Sequence, residues 1–225
     1  TPFGHSGEYI LNKICEDGFT HYEQSVRIVE VLEKDGRGLN LTWEVRDGIR
    51  NHRTSGHPST LEGAIVRLSD KIAYINHDID DAIRARMFTE HELPRVYTDV
   101  LGHSVRERLN NMIHDIILNS MDKPAITMSE GMEEAMQGLR KWMFDNVYKN
   151  DIPKAEEGKA QNMITQLYEY YMGHVDKLPV EYVLLMVNKG EKKSRVVCDY
   201  IAGMSDIYAI DQFEELFVPK RWNVY

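Results

Sequence analysis

The sequence predicts an all-α protein, and three observations carry that prediction. Two-residue alternation of apolar and polar residues is almost absent, so half-buried strands are not expected. Apolar residues instead recur at three- and four-residue steps in one stretch after another. One of these stretches, Ser59 to Met87, is long enough to cross a domain: about 27 helical residues reach about 40 Å.

Taken in order, Gly7 to Cys15 reads as a short helix stopped near Gly18. Tyr22 to Lys34 follows, with Val26, Ile28, Val29, Val31 and Leu32 at mixed helical spacing and Asp35-Gly36-Arg37-Gly38 ending it. Leu41 to Asn51 is another short helix, and residues 52–58 are a polar loop. The long helix then starts at a capping box of Ser59 and Glu62, just after Pro58. Leu61, Ile65, Leu68, Ile72, Ile75, Ile79 and Ile83 fall on one stripe, which is read as core. Residues 90–94 read as a break. Ser104 to Ser120 is strongly amphipathic, and Lys123-Pro124 ends it. Ser129 to Tyr148 is helical, with Thr127 and Glu130 supplying the capping pair. Ala155 to His174 is a further helix, Leu178-Pro179 begins a short one, residues 190–193 form a basic turn, and Ser194 to Phe217 is a final pair of helical segments. Met112, Met128, Met132, Met136 and Met143 sit at helical spacings and read as core. Trp43, Trp142 and Trp222 read as packing anchors.

The 225 residues have ample length to bury a core. The weak internal boundary at residues 122–125 divides the chain into 1–121 and 122–225. No apolar run reaches the ~18 residues that would span a bilayer, and no signal peptide is visible. Two distant cysteines, Cys15 and Cys198, point to a reducing compartment and a cytoplasmic protein. A net charge of −9 argues against nucleic acid as the main partner but leaves room for a small phosphorylated ligand held by local cations. The chain opens Thr1-Pro2-Phe3-Gly4-His5 without an initiator Met, so a natural N-terminal part is expected to be absent.

Several residues have the types and spacing for chemistry. His5 and Glu8 are one helical turn apart, which suits an acid/base pair; on spacing alone an ordinary helix start with an acid near the dipole is the commoner explanation. Asp70, Tyr74 and Asp78 line up at i, i+4 and i+8 on the long helix, with Lys71 beside them. That line reads equally as a site, with a metal-binding carboxylate, a sugar-binding Tyr/Asp pair and a phosphate-binding Lys, or as a solvated face paired with Arg67, Asp81 and Arg84. The adjacent His77 and Asp78 diverge by about 100° on a helix and make a poor metal doublet. His21, at a helix start, is either a second active-site histidine or a plain cap-region residue. The cluster of Lys189, Lys192, Lys193 and Arg195 is more simply a solvated turn than a phosphate site.

Segments TPFGHSGE, HYEQSVRIVEVLE, LNLTWEVRDGI, VRLSDKIAYINHDIDDAIRA and VVCDYIAGMSDIYAIDQFEELF run through essentially the whole chain. In these the sequence resembles the bacterial deoxyguanosinetriphosphate triphosphohydrolase-like proteins of the HD-domain superfamily. The resemblance implies an HD-like multi-helix bundle: residues 1–121 would be the remainder of the catalytic core and 122–225 a C-terminal helical extension. It implies a metal-dependent enzyme that splits deoxynucleoside triphosphates into deoxynucleoside and inorganic triphosphate, and a homo-oligomer. It further implies a divalent ion with Asp70 as one ligand, the others, an N-terminal His and a His-Asp doublet, lying outside this chain. By the same resemblance His5 sits at the phosphates, Glu8 orients it or aids proton transfer, and His21 lies near the metal centre. Lys71 contacts a phosphate, and Tyr74 and Asp78 read the deoxyribose. Two other readings stay open: a non-catalytic nucleotide-binding or regulatory oligomeric module, and another HD-type phosphohydrolase.

Overall fold

The computed structural model describes residues 1–148 and 151–220. Among them every regular element is helical and no strand occurs, as the spacing predicts. The elements are α1 (Gly4–Ile14), α2 (His21–Arg27), a π-helical turn (Ile28–Leu32), α3 (Glu33–Gly36), α4 (Trp43–Arg50), α5 (Leu61–Arg84), a 3₁₀ turn (Glu90–Glu92), α6 (Arg95–Leu101) and α7 (Val105–Ser120). After them come α8 (Glu130–Met143), a π-helical turn (Phe144–Tyr148), α9 (Asp151–Gly173), a 3₁₀ turn (Val175–Lys177), α10 (Val180–Lys189), α11 (Lys193–Ala202) and α12 (Asp206–Phe217). No helix among the described residues is long and apolar enough to cross a membrane.

The chain forms two compact units, one of Thr1–Asn40 with Ile152–Tyr225 and one of Leu41–Asp151. The boundary expected at residues 122–125 lies inside the second of these, between α7 and α8.

In the first unit the two ends of the chain share one core. Leu11 of α1, Ile164 and Leu167 of α9, and Val196, Val197 and Ile201 of α11 have no solvent exposure. Gly7 lets α1 enter that core: a Cβ there would stand 1.9 Å from the Pro2 carbonyl oxygen and 3.3 Å from the Ile164 side chain. The single helix expected from Tyr22 to Lys34 is interrupted instead. After α2 the π turn widens the coil, and Lys34 and Asp35 take left-handed backbone at φ 52° and 56°. The mixed apolar spacing of Val26 to Leu32 reflects this change of winding. Lys189, Lys192 and Lys193 are exposed, as a solvated turn requires, although Lys189 donates to the Gly36 carbonyl and Lys192 pairs with Asp17 at 2.6 Å; half-buried Arg195 bonds Gln24 and reaches Asp199 at 3.3 Å.

The second unit is built on α5. Leu68, Ile72, Ile75 and Ile79 are buried with Leu101, Met112, Leu139 and Met143, so the central part of the expected stripe is core. Its N-terminal part is not, since Leu61 and Ile65 are 44% and 49% exposed. The first turns of α5 pack on α4 through a different face, where Gly63 and Gly48 meet. The cap also differs: the Thr60 side chain accepts the Gly63 N–H at 3.1 Å, while the Ser59 N–H donates to Asp47. Ser129 itself caps α8 and is held by Asp115, so the Thr127/Glu130 pair does not form the cap.

Helix α6 is not foreshadowed in the sequence. Its Tyr97 packs against α8 where residue 138 is Gly; a Cβ there would stand 2.2 Å from the ring. The methionines expected in the core are buried or partly so. Of the tryptophans, Trp142 packs edge-on against Phe88 with ring centres 5.2 Å apart. Trp43 is 56% exposed and anchors nothing, because its helix α4 meets α5 at Gly48. Trp222 lies outside the described residues.

Candidate functional site

Two groups of candidate residues emerge, one in each unit. In the first unit, α1 presents His5 and Glu8 one turn apart, His5 exposed and Glu8 half-buried. His21 opens α2, where the backbone N–H lacks a partner within the helix. Glu8 supplies it: Oε1 accepts the His21 N–H at 2.9 Å, and both carboxylate oxygens lie 2.9 Å from the ring Nδ1. A carboxylate only accepts, so Nδ1 carries the proton and Nε2 is the basic nitrogen of the neutral ring. Burial pushes Glu8 up, but the His21 N–H, the His21 ring and nearby His5 together hold its carboxyl below the usual range. The structure thus brings Glu8 to His21 and places His5 close by.

A buried polar network fixes α2 one turn beyond His21. Asp199 of α11 is buried; its Oδ1 accepts from Gln24 at 2.9 Å, and both its oxygens accept from the Arg27 Nε at 2.9 Å. Arg27 also pairs with Glu191 at 3.1 Å. Sequence reasoning did not single out Gln24, Arg27 or Asp199 in these roles. The visible signal was a Gln and an Arg three residues apart on the helix that His21 begins.

In the second unit, α5 carries Asp70, Lys71, Tyr74 and Asp78 along about 12 Å of helix. Asp70, Lys71 and Asp78 are half-buried, and Tyr74 is 52% exposed. His77 is exposed and diverges from Asp78, as a helix requires. Arg84 pairs with Asp80 and Asp81 on the outer face. Arg67 joins no such pair: its guanidinium donates to the carbonyls of Gly56 at 2.9 Å and Thr54 at 3.3 Å. Arg140 of α8 donates to the Thr54 hydroxyl at 3.2 Å. The loop before α5 thus gathers Arg67 and Arg140, and both act electrostatically on Lys71. Burial, then Arg67, and more weakly Arg140 hold the Lys71 ammonium below its usual value, with Glu133 opposing them. The Arg67 Nε is buried without a hydrogen-bond partner among the described residues. Three gathered cations with one opposing acid suit an anion. Arg140 was missed in the sequence because nothing in α8 distinguishes it from its neighbour Lys141.

The donor set does not make a metal centre by itself. Among the described residues no three His, Cys, Asp or Glu side chains are grouped to hold an ion, and one carboxylate does not suffice.

Comparison with known proteins follows the same line. Residues 126–215 match the phosphohydrolase-associated domain. With the all-helical fold, this defines the class as the HD superfamily of phosphohydrolases. The chain is 52% identical over 222 residues to a deoxyguanosinetriphosphate triphosphohydrolase-like protein of Caldanaerobacter subterraneus subsp. tengcongensis, covering 99% of this chain and 65% of that protein. The protein of that name from Clostridium perfringens is 40% identical over 97% of this chain and 66% of its own length. That of Geobacter sulfurreducens is 34% identical over 97% of this chain and 70% of its own. The chain belongs to the family of deoxyguanosinetriphosphate triphosphohydrolase-like proteins. It spans about two thirds of the length of these relatives.

Proposed function

We propose that the chain is part of an enzyme that hydrolyses deoxynucleoside triphosphates to deoxynucleoside and inorganic triphosphate. The observation that carries this reading is the cluster of Arg67, Lys71 and Arg140 beside Asp70, on the helix that also presents Tyr74 and Asp78. Cations at one point and a Tyr/Asp pair one and two turns along fit a ligand with a polyanionic end and a hydroxylated ring. A Tyr ring against the sugar disfavours a 2′-hydroxyl and so favours deoxy substrates. Asp78 accepts from a sugar hydroxyl.

In the second unit the three cations are the groups proposed to neutralise a triphosphate as negative charge grows on it. Taken by itself, the first unit offers a proton-handling set: Glu8 fixes His21 with Nε2 as its basic nitrogen, and His5 is the further acid/base candidate. Water attacks the α-phosphorus, the bond to the 5′-oxygen breaks, and that oxygen takes a proton. A divalent ion supplies Lewis acidity in such chemistry, and Asp70 is the carboxylate proposed as one of its ligands.

The test is product analysis of the full-length protein with each of the four deoxynucleoside triphosphates. Intact triphosphate together with free deoxynucleoside is the expected result. Release of single phosphates would assign a different phosphohydrolase activity, and binding without turnover would assign a nucleotide-binding module.

A further inference from the structure

The first unit carries a strained turn just ahead of one of its acid/base candidates. Phe3 precedes α1 in left-handed backbone, at φ 59° and ψ 30°, and Gly4 follows at φ 52°. Glycine adopts that conformation freely; a bulky aromatic residue does so only where its surroundings hold it. His5 comes next, in the first turn of α1.

Three contacts hold the turn. The Phe3 carbonyl accepts the Ser6 and Gly7 N–H groups at 3.2 and 3.4 Å, which starts the helix. The Phe3 side chain packs against the core shared by both ends of the chain. The Phe3 N–H donates to Asp206 Oδ1 at 2.8 Å, across 203 residues of sequence. Past His5, Gln161 of α9 donates to the Ser6 hydroxyl at 3.1 Å. His5 therefore stands between two residues that are each tied to a distant helix. The tie to Asp206 acts on the strained residue itself. Its acceptor is a carboxylate, and charge-assisted bonds are the strong kind. Left-handed backbone at a non-glycine residue costs about as much as one such bond contributes, so this bond decides whether the turn holds. Asp206 is not otherwise needed to start α12: Ser205 caps that helix, its Oγ accepting the Tyr208 N–H at 3.2 Å.

We propose that Asp206 is a positioning residue for His5: through the Phe3 N–H it holds the turn that sets where the imidazole stands. Without that bond Phe3 relaxes out of its left-handed conformation and turns the first residues of α1, His5 with them. That His5 handles protons rests on the function proposed above; that Asp206 sets its place does not.

The test compares three variants of the full-length protein. Asp206→Ala removes the acceptor, and Asp206→Asn keeps an acceptor oxygen without the charge. Both lose the same negative charge in the first turn of α12, so what separates them is the hydrogen bond. Asp206 is exposed, and both substitutions leave the core intact. Ser205→Ala removes the cap of α12 and reads the effect of loosening that helix alone. The ring Cε1–H resonance of His5, assigned by its loss in His5→Gln, should shift in Asp206→Ala, stay close to its native position in Asp206→Asn and not move in Ser205→Ala. With deoxynucleoside triphosphate, kcat should fall about tenfold or more in Asp206→Ala while KM stays within about twofold; the other two variants should keep kcat within about threefold of native. A His5 resonance unmoved in Asp206→Ala would overturn the proposal, as would equal shifts in all three variants. If the native protein turns over no deoxynucleoside triphosphate, the function proposed above fails, and the His5 resonance still decides the role of Asp206.

Discussion

Burial alone would make Glu8 titrate late; its bonds to His21 and the nearness of His5 reverse that and hold it ionised to lower pH. A carboxyl lowered in the folded state contributes stability above its ordinary value and loses it as pH falls through the lowered one. Glu8→Gln should therefore lower the urea midpoint of unfolding above about pH 5, and the gap between the two midpoints should narrow as pH falls below the ordinary carboxyl range. A gap that stayed constant as pH fell through that range and below would show that the pair adds no pH-dependent stability. Lys71 has the opposite balance. Its folded value lies below the ordinary one, so its charge costs the fold something, and stability rises as pH climbs from that value towards about 10.4. A bound anion removes the cost. Lys71→Met should leave the thermal midpoint unchanged or raised, while weakening the binding of inorganic triphosphate about tenfold or more. Calorimetry of both proteins reads the two effects separately, and a variant that lost stability yet kept triphosphate would rule out the anion role.

Among the helices, α6 and α8 meet at a single small residue. In an open helix, Gly138→Ala would add about 1 kcal/mol of stability. Here the new methyl would stand 2.2 Å from the Tyr97 ring, so the substitution should cost about 1–3 kcal/mol instead. In a Tyr97→Ala background the sign should revert, and a double-mutant cycle by urea denaturation would show whether it does. The same helices mark what the sequence could and could not reveal. Helices α5, α7 and α8 are long and periodic, so their apolar steps were legible, as was the Asp70, Tyr74, Asp78 line along one of them. Helix α6 has seven residues, too few for a period to show. The cap at Thr60 rather than Ser59 goes with Asp47 accepting the Ser59 backbone N–H, a contact between residues twelve apart. For the same reason the bond from Glu8 to His21 and the meeting of Arg67 with Arg140 at Thr54 were hidden: each joins residues that no helical spacing relates.

For the molecule as a whole, charge sets the question of ions. A chain of net charge −9 attracts divalent cations loosely all over its surface, so weak binding is expected whether or not a true site exists. Tight binding requires several oxygen or nitrogen ligands held together, because each must replace a water of the ion. Among the described residues no such group occurs, and Asp70 stands on α5 next in sequence to Lys71, on which Arg67 and Arg140 act. Those cations would repel a bare ion and favour one already paired with phosphate. Titrated with Mn²⁺ alone, this 225-residue chain should therefore show dissociation constants no tighter than about 10⁻⁴ M, and Asp70→Asn should change them little. Added inorganic triphosphate should strengthen Mn²⁺ binding, and Asp70→Asn should then reduce that gain. Water-proton relaxation measures each case directly. A tight one-to-one site without triphosphate, lost in Asp70→Asn, would mean that the chain assembles a complete ligand set around Asp70 by itself.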